Sequence, residues 1–372
     1  MKRTSCVCGA VLLVAVCFGM VGAETIDIAA IYALSGIAAE GNASSLLGVQ
    51  LAVDEINAAE GLLGRKIKLL AIDNKSTPVG SVVAAEEAVV RRVVAIIGAA
   101  WSSHSIPIAR VAQQKGIPMI ATYSTNPAVT AAGNYIFRVC FVDTFQGSVM
   151  ARFARRDLGA RTALLFTNLT SEYSMDLSRY FRSEFVRDGG SLLGEAQYKI
   201  KQTDVANLVE TALEKSADVV FISGHSESRL IARKFQEAGV QSVLLGGDGW
   251  AGDNSLLEAG DDALRTAYYC SHWSPRSTRE QSRRFVARYG SKRSFDVGAA
   301  LAYDAVMLLA DAVRRAGSVD RIKVRDALAA TSHFEGVTGV IGFNAERNPV
   351  KSAVIMEITN GIPRYLKTVT PE

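Results

Sequence analysis

Residues 94–130 read VAIIGAAWSSHSIPIARVAQQKGIPMIATYSTNPAVT, and the reading of this stretch decides the fold. Val93 to Ile97 is a short apolar run ending at Gly98, the pattern of a strand buried on both faces. A hydroxyl-rich turn follows, Trp101-Ser102-Ser103-His104-Ser105, and then the helical spacing of Ile106, Ala109, Val111 and Ala112. Ser105 is a candidate N-cap, and Pro107 suits a first helical turn. Gly116 closes that helix, Ile117 to Ile120 begins a second strand, and Thr122 to Thr125 forms a second hydroxyl-rich turn. In a parallel sheet two such turns lie side by side at the carboxyl edge, each opening a helix. Free backbone N–H groups there, with Ser and Thr hydroxyls, make a site for a small anion, above all a carboxylate. Taken singly, either turn also reads as an ordinary helix cap.

On either side the chain alternates strand and helix. Before it come a strand over 26–32, a helix over 44–59, a strand over 66–72 and a helix over 78–92. After it, 135–141 reads as a strand. A second series starts at Asp143, with strands expected over 162–167, 192–198, 218–223, 243–245 and 266–271 and helices over 145–158, 205–215 and 228–238 and from Tyr173 to Arg187. Two such series predict an α/β protein of two doubly wound parallel-sheet lobes. Helices over 278–289, 297–316 and 322–330 follow, and then two extended runs joined at Asn360-Gly361, a strong hairpin turn.

At 372 residues, with 49% apolar and 21% charged residues, the chain suffices for two folded domains. Met1-Lys2-Arg3, the apolar stretch Val7 to Val21 and the small residues before Glu24 predict a signal peptide, 1–23, and an exported protein. Cleavage with lipidation at Cys17 is the alternative. No other run is long enough to span a bilayer. Loss of Lys2 and Arg3 lowers the formal charge from +4 to +2, too little to suggest nucleic acid. Of five cysteines only Cys140 and Cys270 then remain, and one bridge between them is open to an exported protein.

Three motifs imitate chemistry. Gly247-Asp248-Gly249-Trp250-Ala251-Gly252 matches a dinucleotide fingerprint, but Asp253-Asn254-Ser255 breaks the helix it should open. Gly224-His225-Ser226-Glu227-Ser228 lacks the final glycine of a nucleophile elbow. The four histidines (His104, His225, His272 and His333) and the cysteines show no metal-ligand spacing. An enzyme, a cofactor and a metal therefore have no support; an exported hydrolase using Ser226 is kept only as a rival reading.

The chain resembles the periplasmic binding proteins of ABC importers, and is most similar to their branched-chain amino-acid (Leu/Ile/Val) binding family. The resemblance rests on Ala33-Leu34-Ser35-Gly36, Gly48 to Asn57, Ile96-Ile97-Gly98 with Ser102-Ser103, and Ile117 to Thr125. Tyr135 to Arg138 with Gln146-Gly147, Gly246 to Gly249 and Leu301 to Val306 extend it over nearly all of the mature chain. It implies a type I periplasmic binding protein fold with a three-crossing hinge near Phe141–Asp143, His272–Pro275 and Asn348–Ser352. Lobe one would be 24–141 with 275–348, and lobe two 142–274 with 349–372.

By the same resemblance the ligand's α-carboxylate is held by Ser102 and its neighbour Ser103 in the first turn and by Thr125 in the second. Its ammonium is held by the carbonyl of Tyr123, by Thr125 Oγ1 and by the acid at Asp248. Lobe two would close on the ligand with Tyr173, His225 and Asp248. Several residues depart from the family pattern. Asp248 replaces a glutamate, Tyr123 a smaller residue and Gly298 an aromatic one, while Glu40 and His104 bring polar groups to the ligand's side chain. Trp101 and Trp250 flank the turns as candidate walls. The expected role is a monomeric periplasmic protein delivering an amino acid, or an amide, urea or aromatic acid, to an ABC permease. A ligand-sensing receptor subunit is the alternative.

Overall fold

The computed structural model describes residues 25–200, 204–225, 227–251, 264, 266–290 and 296–371. The signal peptide, its cleavage site, Cys17, Ser226 and the segment Gly252–Ser255 lie outside them. The first series runs β1 (Ile26–Tyr32), α1 (Ala39–Ala58), β2 (Ile67–Asp73), α2 (Pro78–Val90), β3 (Ala95–Gly98), α3 (Ser102–Gln114), β4 (Met119–Ala121), α4 (Ala128–Ala131) and β5 (Ile136–Arg138). Its strands form a parallel sheet in the order β2-β1-β3-β4-β5.

The second series runs α5 (Asp143–Arg152), β6 (Thr162–Asn168), α6 (Glu172–Arg187), β7 (Ser191–Tyr198), α7 (Ala206–Lys215), β8 (Val219–Ser223), α8 (Glu227–Glu237), β9 (Val243–Gly246) and β10 (Thr266–Ser271). Then come α9 (Glu280–Tyr289), α10 (Val297–Ala316), α11 (Arg321–Ala329), the short hairpin β11 (Phe334–Gly336) and β12 (Gly339–Ile341), β13 (Ala353–Thr359) and β14 (Ile362–Val369). The second sheet has the order β14-β13-β10-β9-β8-β6-β7, parallel except for β13 and β14.

The two-residue period of a strand explains why both sheets are wound on both faces. In β1, Ala29 and Ile31 meet Ala84, Ala88 and Ala109 on one side. The intervening Ile28, Ala30 and Tyr32 join Val49, Val53 and Leu309 on the other. The second sheet repeats this, with Leu165 and Phe221 toward Phe181 and Phe185, and Phe166 and Ile222 toward Leu208 and Phe235. The helix α10 therefore returns to the first sheet, where it lies along α1. A Cβ at Gly48 would sit 2.1 Å from the Ala299 carbonyl oxygen, so glycine is what allows that approach.

Several local expectations shift. Helix α1 starts five residues before Ser44, because the Ser76 hydroxyl accepts from Ala38 N and draws the preceding loop in. Strand β5 is only three residues long, and α5 ends in a π-helical turn, Phe153–Asp157. The β11–β12 hairpin was not foreseen, since its strands are too short to show a period. Asn360 and Gly361 turn the β13–β14 hairpin with φ of 51° and 72°. Cys140 and Cys270 are both buried free thiols, against the bridge considered above. Cys140 instead donates to the Ser124 carbonyl, 3.3 Å away. Among the described residues no helix is long and apolar enough to cross a membrane.

Candidate functional site

The two turns of the opening stretch do meet, because β3 and β4 are neighbours in the sheet. Helix α3 begins at Ser102 rather than at Ser105, which corrects the cap. Ser105 lies inside the helix; its Oγ accepts from Ala99 N (2.9 Å) and meets Ser124 Oγ at 2.5 Å, so it stitches turn to turn. Pro107 lies inside the same helix. Gly98 has φ +121°, and a Cβ there would be 2.3 Å from the Ile31 carbonyl oxygen, so only glycine starts the turn without strain.

A buried arginine organises the second turn. Arg138 donates to the carbonyls of Ser124 (2.6 Å) and Asn126 (2.8 Å) and to Thr130 Oγ1. The Thr125 carbonyl accepts from Asp143 N at 3.0 Å. These carbonyls are thereby turned away from the cleft. Ser102 Oγ accepts from Asn126 N at 3.2 Å, which leaves its own O–H free to donate. The N–H groups of Ser102 and Ser103 open α3 and take no acceptor among the described residues. Ser102 and Thr125 are buried and Ser103 is half-buried, so a small anion would meet converging donors there.

Facing these turns is the loop after β9. Asp248 opens a single 3-10 turn, Asp248–Trp250, and is only 2% exposed. Its Oδ1 accepts from Gln146 Nε2 at 2.9 Å, and its Oδ2 lies 2.8 Å from His272 Nε2. Gln146 Oε1 in turn accepts from Asp248 N, and the same Nε2 also reaches Asp143 Oδ1 at 2.7 Å. Burial pushes His272 down to about 4 despite its bond to Asp248, so the ring is neutral at pH 7. Burial, and then the Asp248 charge, push Asp143 up to about 8. The Asp248 carboxyl is thus oriented by Gln146 and by a neutral imidazole.

Aromatic rings close the space between. The Trp101 indole stacks on the His225 imidazole with centroids 4.5 Å apart, and His225 stacks on Tyr173 at 4.8 Å. Trp101 also lies 5.5 Å from His104, whose buried ring is pushed down to about 4, chiefly by desolvation. Tyr173 Oη accepts from Gly249 N at 3.0 Å. Tyr123 reaches across to donate to the Asp248 carbonyl at 2.7 Å, and its ring meets His272 edge-on. Asn126 Nδ2 donates to the Glu172 carbonyl and to Asp176 Oδ2. The turns of the first sheet and the loops of the second are therefore in direct polar contact.

Of the candidate residues, Trp101, Ser102, Ser103, Tyr123, Thr125, Tyr173, His225 and Asp248 converge on this cleft. Glu40 stands on the first turn of α1 and is exposed, with no contact to these residues given among the described ones. Trp250 is fully buried in the core and forms no wall. Gln146, His272, Asp143, Asn126 and Arg138 were missed as site residues. The signals in the sequence were Arg138 and Gln146 within stretches that carry the resemblance and Asp143 and His272 at the expected crossings. No group of His, Cys, Asp and Glu among the described residues is arranged to hold a metal.

Comparison with known proteins gives the same fold. The leucine-binding protein LivK of Thermotoga maritima superposes with a TM-score of 0.89 at 31% identity, covering 93% of this chain and 99% of that one. LivJ of Streptococcus pneumoniae, solved with isoleucine, gives 0.86 at 29% identity, covering 94% and 100%. A leucine-, isoleucine-, valine-, threonine- and alanine-binding protein of Pseudomonas aeruginosa is 25% identical over 338 residues, 89% of this chain and 88% of that one. A family model described as periplasmic binding protein matches residues 25–361. That match runs from the first strand to the turn before the last, through both sheets and every segment joining them, and the chain belongs to the periplasmic binding protein family.

Proposed function

We propose that this protein is the exported solute-binding component of an ABC importer and that it captures an α-amino acid with a branched aliphatic side chain. One observation carries the reading: the donors at the start of α3 and the Asp248 carboxyl face each other across one cleft. A zwitterion satisfies both ends at once, whereas a simple carboxylic acid leaves Asp248 facing its like charge. The carboxylate would take Ser102 and Ser103 N–H, Ser102 Oγ and Thr125. The ammonium would take the Tyr123 carbonyl, Thr125 Oγ1 and Asp248. Trp101, His225 and Tyr173 would wall the side chain. The likeness to LivK and LivJ, whose names and bound isoleucine concern branched-chain amino acids, favours an aliphatic one.

Capture proceeds by hinge closure between 24–141 with 275–348 and 142–274 with 349–372, and the closed form is what the permease recognises. The contacts of Tyr123 with Asp248 and of Asn126 with Asp176 then serve as latches of that form. The protein works as a monomer in the periplasm after loss of residues 1–23. A thermal-shift screen of the mature protein against the L-amino acids tests this. A ligand at about a hundred times its Kd stabilises by ~2.7 kcal/mol. Leucine, isoleucine or valine is expected to give the largest shift. A screen in which only amine-free acids or amides respond would refute the amino-acid reading.

A further inference from the structure

Two acids, not one, meet at the floor of the cleft. Gln146 Nε2 donates to Asp143 Oδ1 at 2.7 Å and to Asp248 Oδ1 at 2.9 Å, so a single nitrogen holds both carboxyl groups. Asp143 and Gln146 are fully buried and Asp248 nearly so. At that range and out of water, two carboxyl groups repel each other strongly if both are ionised, and a cation or a proton has to relieve them. Among the described residues no lysine or arginine forms an ion pair with either; the one charged-group contact is His272 on Asp248. Arg138, which faces Asp143 from β5, bonds the carbonyls of Ser124 and Asn126 and the Thr130 hydroxyl instead.

Hydrogen bonding places the proton on Asp143. Both oxygens of Asp248 meet a nitrogen, Gln146 Nε2 and His272 Nε2. Asp143 Oδ2 is buried and accepts no hydrogen bond among the described residues, so a proton there displaces no donor. The surroundings act in both directions. The free N–H groups at the start of α5, where Asp143 is the first residue, favour its ionised form, as do Gln146, the Thr125 hydroxyl and Arg138. Burial and Asp248 outweigh them and push Asp143 up to about 8. The other titratable groups facing the two acids are neutral at pH 7. Burial pushes up Tyr123, Tyr173, Cys140 and Cys270, and pushes His272 down to about 4. Lys351, lowered by burial to about 8, acts from the third crossing on Cys140 and His272.

We propose that capture of the amino acid is coupled to a proton: Asp143 is protonated in the empty cleft and releases that proton to solvent as the ligand's ammonium docks. The proposal rests on the amino-acid reading and adds to it the fate of the charge. In that reading the ammonium takes Thr125 Oγ1 and Asp248, and both are neighbours of the Asp143 carboxyl. The ligand's cation then relieves the two acids as the proton did. Asp143 passes from the acid to the carboxylate, the proton goes to the buffer, and the ammonium keeps all three of its own. Gln146, bonded to both acids, holds their spacing through the exchange. Linkage fixes the sign. The empty cleft holds more protons than the filled one, so affinity rises with pH up to about 8, by at most about ten-fold per unit.

The test is titration calorimetry of the mature protein with L-leucine at pH 7, in two buffers of different ionisation heat, which counts the protons exchanged. The wild type should release close to one proton per leucine, and its Kd should fall by about five-fold or more from pH 6 to pH 8. 4-Methylpentanoate, which brings no cation, should release none. Asp143→Asn, which keeps the shape of the side chain, should bind L-leucine without proton release and with a flat profile over the same range. Leucine binding without release in the wild type, or equal release in Asp143→Asn, overturns the proposal. Infrared difference spectra of the wild type, leucine-bound minus free, answer without any variant: a protonated-carboxyl stretch should disappear, and its persistence overturns the proposal as well. If L-leucine fails to bind at all, the amino-acid reading falls and this proposal with it, whereas binding without proton release removes the proposal alone.

Discussion

Replacing Asp248 by Asn isolates the charge on which the amino-acid reading depends. In the native site Asp248 Oδ1 is 2.9 Å from Gln146 Nε2 and Oδ2 is 2.8 Å from His272 Nε2. An asparagine oxygen keeps the first bond. Its amide nitrogen can donate to His272 Nε2 once the imidazole proton moves to Nδ1, which has no partner now among the described residues. The shape therefore survives and only the charge goes. A charge-assisted hydrogen bond to an ammonium contributes about 1.5–3 kcal/mol, so the Kd for L-leucine should rise roughly 10- to 150-fold. Titration calorimetry with L-leucine and with 4-methylpentanoate, the same acid without its amine, separates the causes. The second ligand, which has no ammonium, should lose no affinity, because the substitution removes the like charge that its carboxylate meets. The substitution should also lower the Asp143 titration below about 8, because the Asp248 charge helps hold it there. An unchanged leucine affinity, or equal losses for both ligands, would refute the reasoning and leave Asp248 as a turn residue.

Ser102→Ala removes the hydroxyl donor at the start of α3 and should weaken L-leucine and 4-methylpentanoate alike, by about 1.5–3 kcal/mol in calorimetry. Arg138→Leu leaves the buried carbonyl of Asn126 without its donor and should destabilise the protein by about 1–3 kcal/mol or more in urea unfolding. Acid should destabilise through His104 and His272, both held near pKa 4 when folded and near 6.5 when unfolded. Their contribution is full above about pH 6.5 and is lost as pH falls through about 4, by at most roughly 3 kcal/mol each. The urea midpoint followed from pH 7 to pH 4 should fall, and His104→Gln should flatten that fall. Asp143 works in the opposite sense: its stabilisation is present at low pH and lost as pH rises through about 8.

Most strands could be placed within a residue or two because their signal is local. Val93–Ile97 and Val219–Ile222 are apolar throughout, as strands covered on both faces must be, and glycine or a polar turn ends each. Strand β5 and the β11–β12 hairpin were misjudged for the converse reason. Three residues carry no period, and the apolar run Val139–Phe141 is buried by the crossing rather than by a ladder. The start of α1 was set by Ser76 Oγ, a hydrogen bond across 38 residues that nothing near Ala38 announces.

What the sequence determined by itself is the alternation of elements and the chemistry offered at strand ends: Ser102, Ser103 and Thr125 after one pair of strands, Asp248 after another. Both follow from contacts within a few residues, where hydrophobic period and turn chemistry act. Only the tertiary structure decided how that chemistry is used. It set Gln146 against Asp248 across 102 positions, stacked Trp101 on His225, turned Glu40 into solvent and kept Cys140 and Cys270 apart as thiols. It also neutralised His272 by burial. Burial and partner choice depend on which strands become neighbours, and strand order is settled by packing over the whole chain, not by any stretch of it.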